Sequence, residues 1–170
     1  MARWRVFRAP WIVDFRGGGL IVDDDESLTI MTKAELYEFL AAHTLGVLGS
    51  ISGEGVPQSA LVGIAVTEDL EIVFDTLNTT RKYRNLTSNP KASLVVGWEG
   101  ERTVQLEGEA FLPVGEELTQ YKNIYFSAWP DGVDRQNWPG LVYFVVRPRW
   151  IRFSDFDQRP PRIEEMVFGM

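Results

Sequence analysis

Short runs of alternating apolar residues, separated by tight turns, constrain the fold of this chain more than any other feature. Apolar side chains alternate over residues 45–51, and a turn with two glycines, Ser52–Gly55, leads into a return run over 56–66. Further runs of the same kind follow at 70–74, 92–98, 103–112 and 141–153. Because successive short strands joined by short turns favour a closed or partly closed barrel, we predict about six strands in a meander.

Helices are predicted at three places between these strands. Thr32 and Glu35 form a capping box, and apolar residues at helical spacing extend it into a helix over about 32–43. A second helix is expected over about 80–88, ending before Pro90, and a third over about 115–126. The predicted fold class is therefore mainly β, a β-barrel with inserted helices.

The chain divides into three predicted regions. Its 170 residues, 45% of them hydrophobic, suit one domain with one core. Residues 1–30 are interpreted as a poorly ordered N-terminal extension, because Gly17–Gly19 and the acidic run Asp23–Glu26 interrupt any period. Residues 31–158 form the domain, and residues 159–170 are expected to be an irregular C-terminal tail.

Composition excludes several function classes. The formal net charge is −7, and no block of Lys and Arg forms a stripe that could follow a phosphate backbone, so nucleic acid is not an expected partner. The chain has no cysteine, which removes disulfides, thiolate metal sites and a cysteine nucleophile. No apolar run approaches the ~20 residues that cross a bilayer. Without a secretion signal either, we expect a cytoplasmic protein that binds neither metal nor membrane.

One helix start carries an unusual charge pattern. A strand is expected to end at about Asp75 and a helix to begin at about Thr80, so Arg81 and Lys82 fall in the first helical turn. That turn already carries about half a positive charge, and two cations there lower stability unless an anion joins them. Free amides, the hydroxyls of Thr79 and Thr80 and the two cations together suit a phosphate group. From the residues alone, this interpretation and a surface helix with solvated cations both stay open.

The same segment resembles a known family. The run FDTLNTTRKYRNLTSNPKASLVV, Phe74–Val96, is similar to the signature of pyridoxamine 5′-phosphate oxidases and their small relatives. Upstream, Gly46–Gly49 and Gly55–Pro57 match the first hairpin of the family. Downstream, Glu107–Ala110 matches its strand beneath the flavin. The resemblance extends from residue 31 to about 165, and each of its parts is weaker alone than the joint pattern.

The resemblance implies a fold, an assembly and a cofactor. It implies a six-stranded FMN-binding split barrel that forms a homodimer, with two FMN molecules between the subunits. The matching positions are Thr80, Arg81 and Lys82 for the FMN phosphate, Asp75 and Thr76 at the strand end beside the flavin, and the backbone of Ala60, Leu61 and Val62 along the isoalloxazine ring.

A polar side chain on a later strand completes the implied cofactor site. In the family, a residue that is often Gln bonds the pyrimidine edge of the ring. Alignment through Gly108 puts Thr103 at this position, while Gln105 lies two residues on and on the same face of the strand. We prefer Gln105, because its amide both donates and accepts hydrogen bonds. An ordinary exposed strand residue is the alternative.

The chain departs from the oxidase at its implied substrate-binding positions. In the C-terminal motif of the oxidase, Arg, His and Arg recur at alternate positions, whereas this chain has Arg162, Glu164 and Met166. In the inserted helix, Tyr125 is kept but Trp129 replaces an Arg that binds the substrate phosphate. A phosphate leaves water only for cationic or dipolar partners. We therefore predict no meaningful pyridoxamine 5′-phosphate oxidase activity.

Two further groups of side chains have alternative interpretations. Tyr125, Trp129, Trp138 and Trp150 are either an aromatic site for a flat ligand or, as we prefer, residues of a core or a dimer interface. His43, the only histidine, is either a ligand or base or, as we prefer, the residue that ends the first helix against its free carbonyls. A single histidine without cysteine does not make a zinc site.

Together these features predict an FMN-binding flavoprotein, an FMN-dependent oxidoreductase that acts on a small molecule. Arg81 and Lys82 anchor the phosphate, and the flavin carries the redox chemistry, since no catalytic triad or acid–base pair is recognisable. Two alternatives stay open. One is a non-catalytic flavin-binding or flavin-sensing module, and the other is a split barrel that binds a deazaflavin or haem.

Overall fold

The computed structural model describes residues 3–6 and 31–169, and this part of the chain forms an antiparallel β-barrel with helices on its outside. The strands are β1 Arg3–Val6, β2 Leu45–Ile51, β3 Pro57–Val66, β4 Ile72–Leu77, β5 Lys91–Val96, β6 Arg102–Phe111, β7 Leu141–Asp155 and β8 Arg162–Val167. The helices are α1 Lys33–Ala41, α2 Arg81–Ser88, α3 Gly115–Ala128 and α4 Gly132–Arg135.

Six of the strands close the barrel. Their order is β7-β4-β3-β2-β5-β6, and β6 pairs back to β7. The long strand β7 makes this closure because its first part, Leu141–Val146, pairs with β4, while its other edge pairs with β6. Its last part, Trp150–Asp155, pairs with β8 beyond the end of β4. The prediction of a mainly β, six-stranded split barrel with inserted helices is confirmed.

The barrel is split between β3 and β4. β3 pairs with β2 over Pro57–Gly63, but it pairs with β4 only over Ile64–Val66. Beyond that point β4 stays with β7, and no described strand covers the second edge of Pro57–Gly63. The split therefore leaves free backbone groups where β3 leaves β4.

Strand alternation divides the side chains into two cores. Ile72 and Phe74 of β4 face the barrel interior with the largest buried cluster, while Val73 faces outward. The outward cluster includes Tyr121 and Tyr125 of α3, which packs across β3, β4 and β7. Consecutive residues of β4 therefore face different environments, as the two-residue period of a strand requires.

The three long helices lie where the sequence predicts them. Thr32 caps α1 with a complete capping box: its Oγ1 accepts from the Glu35 amide at 3.1 Å, and Glu35 Oε2 accepts from the Thr32 amide at 2.6 Å. α2 ends at Ser88, before Pro90, as expected. None of the described helices is long and apolar enough to cross a membrane.

The structure corrects the prediction for the two ends of the chain. The tail over 159–170, expected to be irregular, contains β8, so the sheet has more than the six predicted strands. Residues 3–6 form β1, which pairs with β8 and was not anticipated in the N-terminal extension. Residues 1–2 and 7–30 lie outside the described residues, as does most of the segment predicted to be poorly ordered.

Candidate functional site

The start of α2 brings four of the predicted site residues together. Thr80 caps the helix, and its Oγ1 accepts from the Tyr83 amide at 3.3 Å. The Oγ1 atoms of Thr76 and Thr80 lie 3.1 Å apart, and Lys82 Nζ lies 3.4 Å from Thr76 Oγ1. Arg81 is the first residue of the helix and is exposed. Two hydroxyls and the Lys82 ammonium therefore meet at a helix start with free amides, and Arg81 adjoins them in the first turn. We call Thr76, Thr80, Arg81 and Lys82 the α2 cradle.

The positive charge of the α2 cradle is not balanced by acidic groups. The first turn of α2 contains no acidic residue. Within residues 31–169, Arg81 and Lys82 form no ion pair with a carboxylate. Cations at a helix N-terminus oppose the helix dipole, so this arrangement favours an added anion.

A polar network holds α2 against the barrel wall. Asn85 is buried, and its Nδ2 donates to Ser50 Oγ of β2 and to Gln58 Oε1 of β3, both at 3.0 Å. The network joins the α2 cradle to the strand whose free edge contains Ala60, Leu61 and Val62. Val62 is buried in the core, whereas the side chain of Leu61 is 60% exposed. The backbone of these three residues, predicted to line the flavin ring, therefore lies on the open edge of β3.

The structure separates Asp75 from the α2 cradle. Thr76 faces the interior side of β4, while Asp75 faces outward beneath α3 and α4. Arg135 of α4 lies against it, with Nη1 3.6 Å from Asp75 Oδ2. Burial, followed by the negative charge of Asp75, raises the pKa of the Tyr125 phenol, and the same two causes raise the pKa of Tyr143.

Gln105 also lies apart from the α2 cradle within one chain. It is exposed on the outer face of β6, opposite Val95 and Arg152. Thr76 is opposite Val142, ten residues before Arg152 along β7. Thr103, the alternative position, is half-buried and opposite Ser154. Within the described residues, neither Gln105 nor Thr103 pairs with or hydrogen-bonds to a residue of the α2 cradle.

The four aromatic residues named by the sequence do not form one pocket. Tyr125 is buried in the outer core, and Trp138 is 54% exposed after α4. Trp150 lies on β7, opposite Glu107 of β6. Trp129 packs flat on β3: its Nε1 donates to Ile64 O at 3.1 Å. Packing accounts for Tyr125 and Trp129, in line with the preferred interpretation.

Gly63 on β3 leaves room for the indole of Trp129. A Cβ atom at Gly63 would lie 2.9 Å from Cζ2 of the indole, closer than side chains tolerate. Gly63 is also the last residue of β3 before pairing with β4 begins. The indole of Trp129 therefore covers the point where the barrel splits.

The C-terminal positions that serve substrate in the oxidase have structural roles in this chain. Glu164 and Met166 are buried, and Met166 belongs to the barrel core. Glu164 accepts from Arg162 Nε and, at 2.7 Å, from the backbone amide of Met31. These residues attach β8 to the start of the domain rather than line a site.

His43 lies just after the end of α1, as predicted. Its Nδ1 is 2.7 Å from Phe39 O, and its ring packs against the Phe39 ring at 4.5 Å between centroids. The contact satisfies a carbonyl of the last helical turn.

A surface cavity of about 740 Å³ lies away from every predicted site residue. Its three cations are all paired: Lys33 with Asp69 at 2.6 Å, Arg147 with Glu71 at 2.7 Å, and Arg149 with Glu109 at 3.2 Å. Its charges are balanced, in contrast to those of the α2 cradle.

Comparison with known proteins identifies the family. A family model described as pyridoxamine 5′-phosphate oxidase matches residues 32–155. The chain belongs to this family. Named relatives include pyridoxine/pyridoxamine 5′-phosphate oxidases from Bordetella pertussis, 39% identical over 123 residues, and from Thermosynechococcus vestitus, 37% identical over 106 residues. The matches cover 68% and 62% of this chain, but 56% and 46% of those relatives, so the chain spans about half of their length.

Solved structures share the fold at lower identity. A heme binding protein from Mycobacterium smegmatis has a TM-score of 0.69 at 21% identity, covering 82% of this chain and 60% of that one. A putative pyridoxamine 5′-phosphate oxidase from Listeria innocua has a TM-score of 0.58 at 18% identity, covering 71% and 96%. The heme storage protein HutZ from Vibrio cholerae has a TM-score of 0.61 at 16% identity, covering 70% and 91%.

Sequence reasoning missed several residues that shape these sites. The sequence predicts no helix or strand around Arg135, and for Tyr143 it predicts a strand position without a further role. Asn85 was treated as part of the family run without a role. The available signal for Tyr143 was the pairing of its strand with the one that ends after Asp75, but the register was not readable from the sequence.

Proposed function

We propose that this protein binds FMN and is an FMN-dependent oxidoreductase of the pyridoxamine 5′-phosphate oxidase family. The observation that carries the proposal is the α2 cradle, where Lys82 meets two hydroxyls at a helix start, Arg81 adjoins them, and neither cation has an acidic partner among the described residues. A phosphate monoester supplies the charge and the acceptor oxygens that this arrangement lacks. Family membership supports the same choice.

The residues of the chain then bind and orient the cofactor. Arg81 and Lys82 hold the phosphate, and Thr76 and Thr80 donate to it by rotating their hydroxyls. The free edge of β3 over Ala60–Val62 offers backbone hydrogen bonds along the split. When bound, FMN supplies the hydride and electron transfer that side chains cannot perform. Asp75 faces away from the cradle, so we assign it no contact with the phosphate.

We also propose that a homodimer completes the site. An apolar face on β2, β3 and β5 is unusually exposed: its residues are Leu45, Val47, Ile51, Leu61 and Val95. Val47 lies opposite both Leu61 and Val95, so these side chains are contiguous. Gln105 and Arg152 border this face, and Arg152 Nε is buried without a hydrogen-bond partner among the described residues. A second copy on the face would cover it and place a cofactor between the subunits.

A phosphorylated pyridoxine-type substrate does not suit the chain. Trp129 packs on Gly63, and Glu164 and Met166 are buried in structural contacts. We therefore propose a less charged small molecule as substrate, and the absence of efficient pyridoxamine 5′-phosphate oxidation stays a prediction, as does the cytoplasmic location.

Haem and non-catalytic flavin binding are the alternatives that the experiment separates. Two proteins with this fold are described as heme binding or heme storage proteins. The single histidine, His43, bonds Phe39 O through Nδ1, which leaves Nε2 as the ring atom that a haem iron would take, so the haem titration decides this alternative. No observation favours haem over FMN in this chain.

The first experiment is the absorbance spectrum of the purified protein, followed by titration with FMN, riboflavin and haem. We expect a flavin band near ~450 nm and an FMN affinity well above that for riboflavin, because riboflavin lacks the phosphate. Steady-state reduction by nicotinamide cofactors then separates an oxidoreductase from a binder, which shows the flavin spectrum without turnover. A protein that binds haem and ignores FMN would overturn the proposal.

A further inference from the structure

Three buried polar atoms without a hydrogen-bond partner among the described residues meet on the outer face of β4 and β7. They are Asp75 Oδ2, Arg135 Nε and Tyr143 OH. Asp75 and Tyr143 are directly opposite in the β4–β7 pairing, and Arg135 Nη1 lies 3.6 Å from Asp75 Oδ2. That distance makes an ion pair but exceeds a hydrogen bond. We call Asp75, Tyr125, Arg135 and Tyr143 the Asp75 cluster.

Unsatisfied atoms of this kind are costly. A buried donor or acceptor without a partner lowers the free energy of unfolding by about 1–3 kcal/mol, and native proteins contain few such groups. Three in one cluster indicate that a further group belongs there. A phenol of α3 in the same outer core is satisfied, since Tyr121 OH donates to Glu71 Oε2 at 2.6 Å.

The three atoms define what that group must offer. Arg135 Nε and Tyr143 OH donate, while Asp75 Oδ2 accepts. A phosphate or carboxylate has no proton to donate and meets the charge of Asp75. An ammonium has no acceptor and meets the charge of Arg135. A neutral carboxamide or hydroxyl both donates and accepts, and it disturbs neither charge of the ion pair.

The Asp75 cluster lies close to the surface of the protein. The side chains of Asp75 and Arg135 are 14% and 27% exposed, although the three unsatisfied atoms are themselves buried. Tyr125 is buried, and its hydroxyl interacts with both Asp75 and Arg135. Trp129 lies over Gly63, at the point where β3 separates from β4 and where Asp75 is the first residue of β4 without a β3 partner. An aromatic surface therefore adjoins the split near the polar atoms.

We propose that the Asp75 cluster is a binding subsite for a neutral polar group that both donates and accepts hydrogen bonds, such as a carboxamide on a flat ring. As a subsite for the substrate it rests on the proposed function, because the split would hold the flavin beside it. As a binding site it stands on the geometry of the cluster alone.

The test compares three one-ring probes on the protein without cofactor. Benzamide, benzoate and benzylamine present a neutral, an anionic and a cationic group on the same ring, and calorimetry or ligand-observed NMR measures their affinities. We expect benzamide to bind about tenfold tighter than either charged probe. Tyr143→Phe should weaken benzamide about tenfold, the effect of one hydrogen bond.

A stability measurement on the same variants distinguishes a ligand site from a structural one. Because Tyr143 OH has no hydrogen-bond partner among the described residues, Tyr143→Phe should not lower the midpoint of urea unfolding. Tyr121→Phe is the matched control: it should lower the midpoint, since it loses the bond to Glu71, and leave benzamide binding unchanged. Equal affinity for the three probes, benzamide binding unaffected by Tyr143→Phe, or a stability loss equal to that of the control would each overturn the proposal.

The benzamide experiment and the FMN experiment can fail independently of each other. FMN binding is measured by absorbance on the same wild-type preparation. Benzamide selectivity without FMN binding keeps the Asp75 cluster as a site and refutes the flavin proposal. FMN binding without benzamide selectivity refutes only the subsite.

Discussion

The two polar clusters on either side of β4 contain neighbouring residues, Thr76 and Asp75, and they differ in what they lack. The α2 cradle lacks charge partners, and the Asp75 cluster lacks hydrogen-bond partners, among the described residues. In the α2 cradle the hydroxyls are hydrogen-bonded, while the charges of Arg81 and Lys82 have no acidic partner in the described part of the chain. In the Asp75 cluster the charges are paired, while three buried atoms have no hydrogen bond within the described residues.

The difference follows from exposure. An unbalanced charge is tolerable at the α2 cradle because Arg81 is exposed and water solvates it. Beneath α3 an unbalanced charge would be far more costly, so Arg135 accompanies Asp75, and the remaining deficit is one of hydrogen bonding. The alternation of one strand therefore presents an anion site on one face and a site for a neutral group on the other.

The largest effect is expected from removing the unbalanced charge. The double variant Arg81→Ala/Lys82→Ala should weaken FMN binding at least about hundredfold, because two charge-assisted hydrogen bonds contribute about 1.5–3 kcal/mol each. Riboflavin binding should not change. Without FMN the variant should be more stable by about 0.3–1 kcal/mol, since the cations oppose the helix dipole. Fluorescence titration of both flavins and urea unfolding measure the two effects.

The control for this double variant is Lys91→Ala, which removes an exposed cation from β5. It should leave the affinity for FMN within about twofold of the wild type, because its charge is largely screened by water and salt. If the double variant lost no more FMN affinity than this control, the cradle would not be the phosphate site.

The second largest effect is expected from removing Asn85, whose hydrogen bonds hold α2 against the barrel. Asn85→Ala should lower the free energy of unfolding by about 2–3 kcal/mol, because it leaves Ser50 Oγ and Gln58 Oε1 without their buried donor. Asn89→Ala is the control, since its Oδ1 accepts one exposed bond from the Lys91 amide at 3.2 Å. The control should lose less than about 1 kcal/mol. Equal losses in urea unfolding would show that the buried network does not stabilise α2.

The α2 cradle was predictable because its signals are local. Thr80, Arg81 and Lys82 are consecutive, and the cap, the helix start and the charge pattern all fall within one turn. The Asp75 cluster was not, because it depends on the register that sets Tyr143 opposite Asp75 and on the short helix α4 that carries Arg135. Grouping Asp75 with Thr76 followed their adjacency in sequence, although alternation sends them to opposite faces.

The strand β8 shows a second limit of sequence reasoning. Prolines at 160 and 161 and charged residues in the tail indicate an irregular segment. Glu164 is nevertheless a buried strand residue, because Arg162 and the Met31 amide satisfy its carboxylate. The Met31 amide is 133 positions from Glu164, so a local sequence pattern does not indicate this partner. The six barrel strands have apolar alternation of their own, which the sequence shows directly.

A smaller loss of stability is expected from disturbing the contact between Gly63 and Trp129. Gly63→Ala should lower the free energy of unfolding by about 1–2 kcal/mol, since its Cβ would lie 2.9 Å from the Trp129 indole and force it to move. Gly53→Ala is the control, because no atom lies within 4 Å of the added Cβ. Tryptophan fluorescence should change in the first variant only. An unchanged spectrum and stability in Gly63→Ala would mean that Trp129 does not cover the split.

The smallest effect is the pH dependence of stability that comes from Tyr121, a phenol that belongs to neither cluster. Burial, followed by the hydrogen bond to Glu71, raises the pKa of Tyr121 to about 12. A raised pKa in the folded state means that its stabilising effect is full below the unfolded pKa of about 10 and is lost as the pH rises towards 12. Between about pH 9 and about pH 11 the wild type should lose about 1 kcal/mol more than Tyr121→Phe. Urea unfolding curves of the two proteins should therefore converge as the pH rises, and a constant gap would mean that the Tyr121 phenol is not held neutral by the fold.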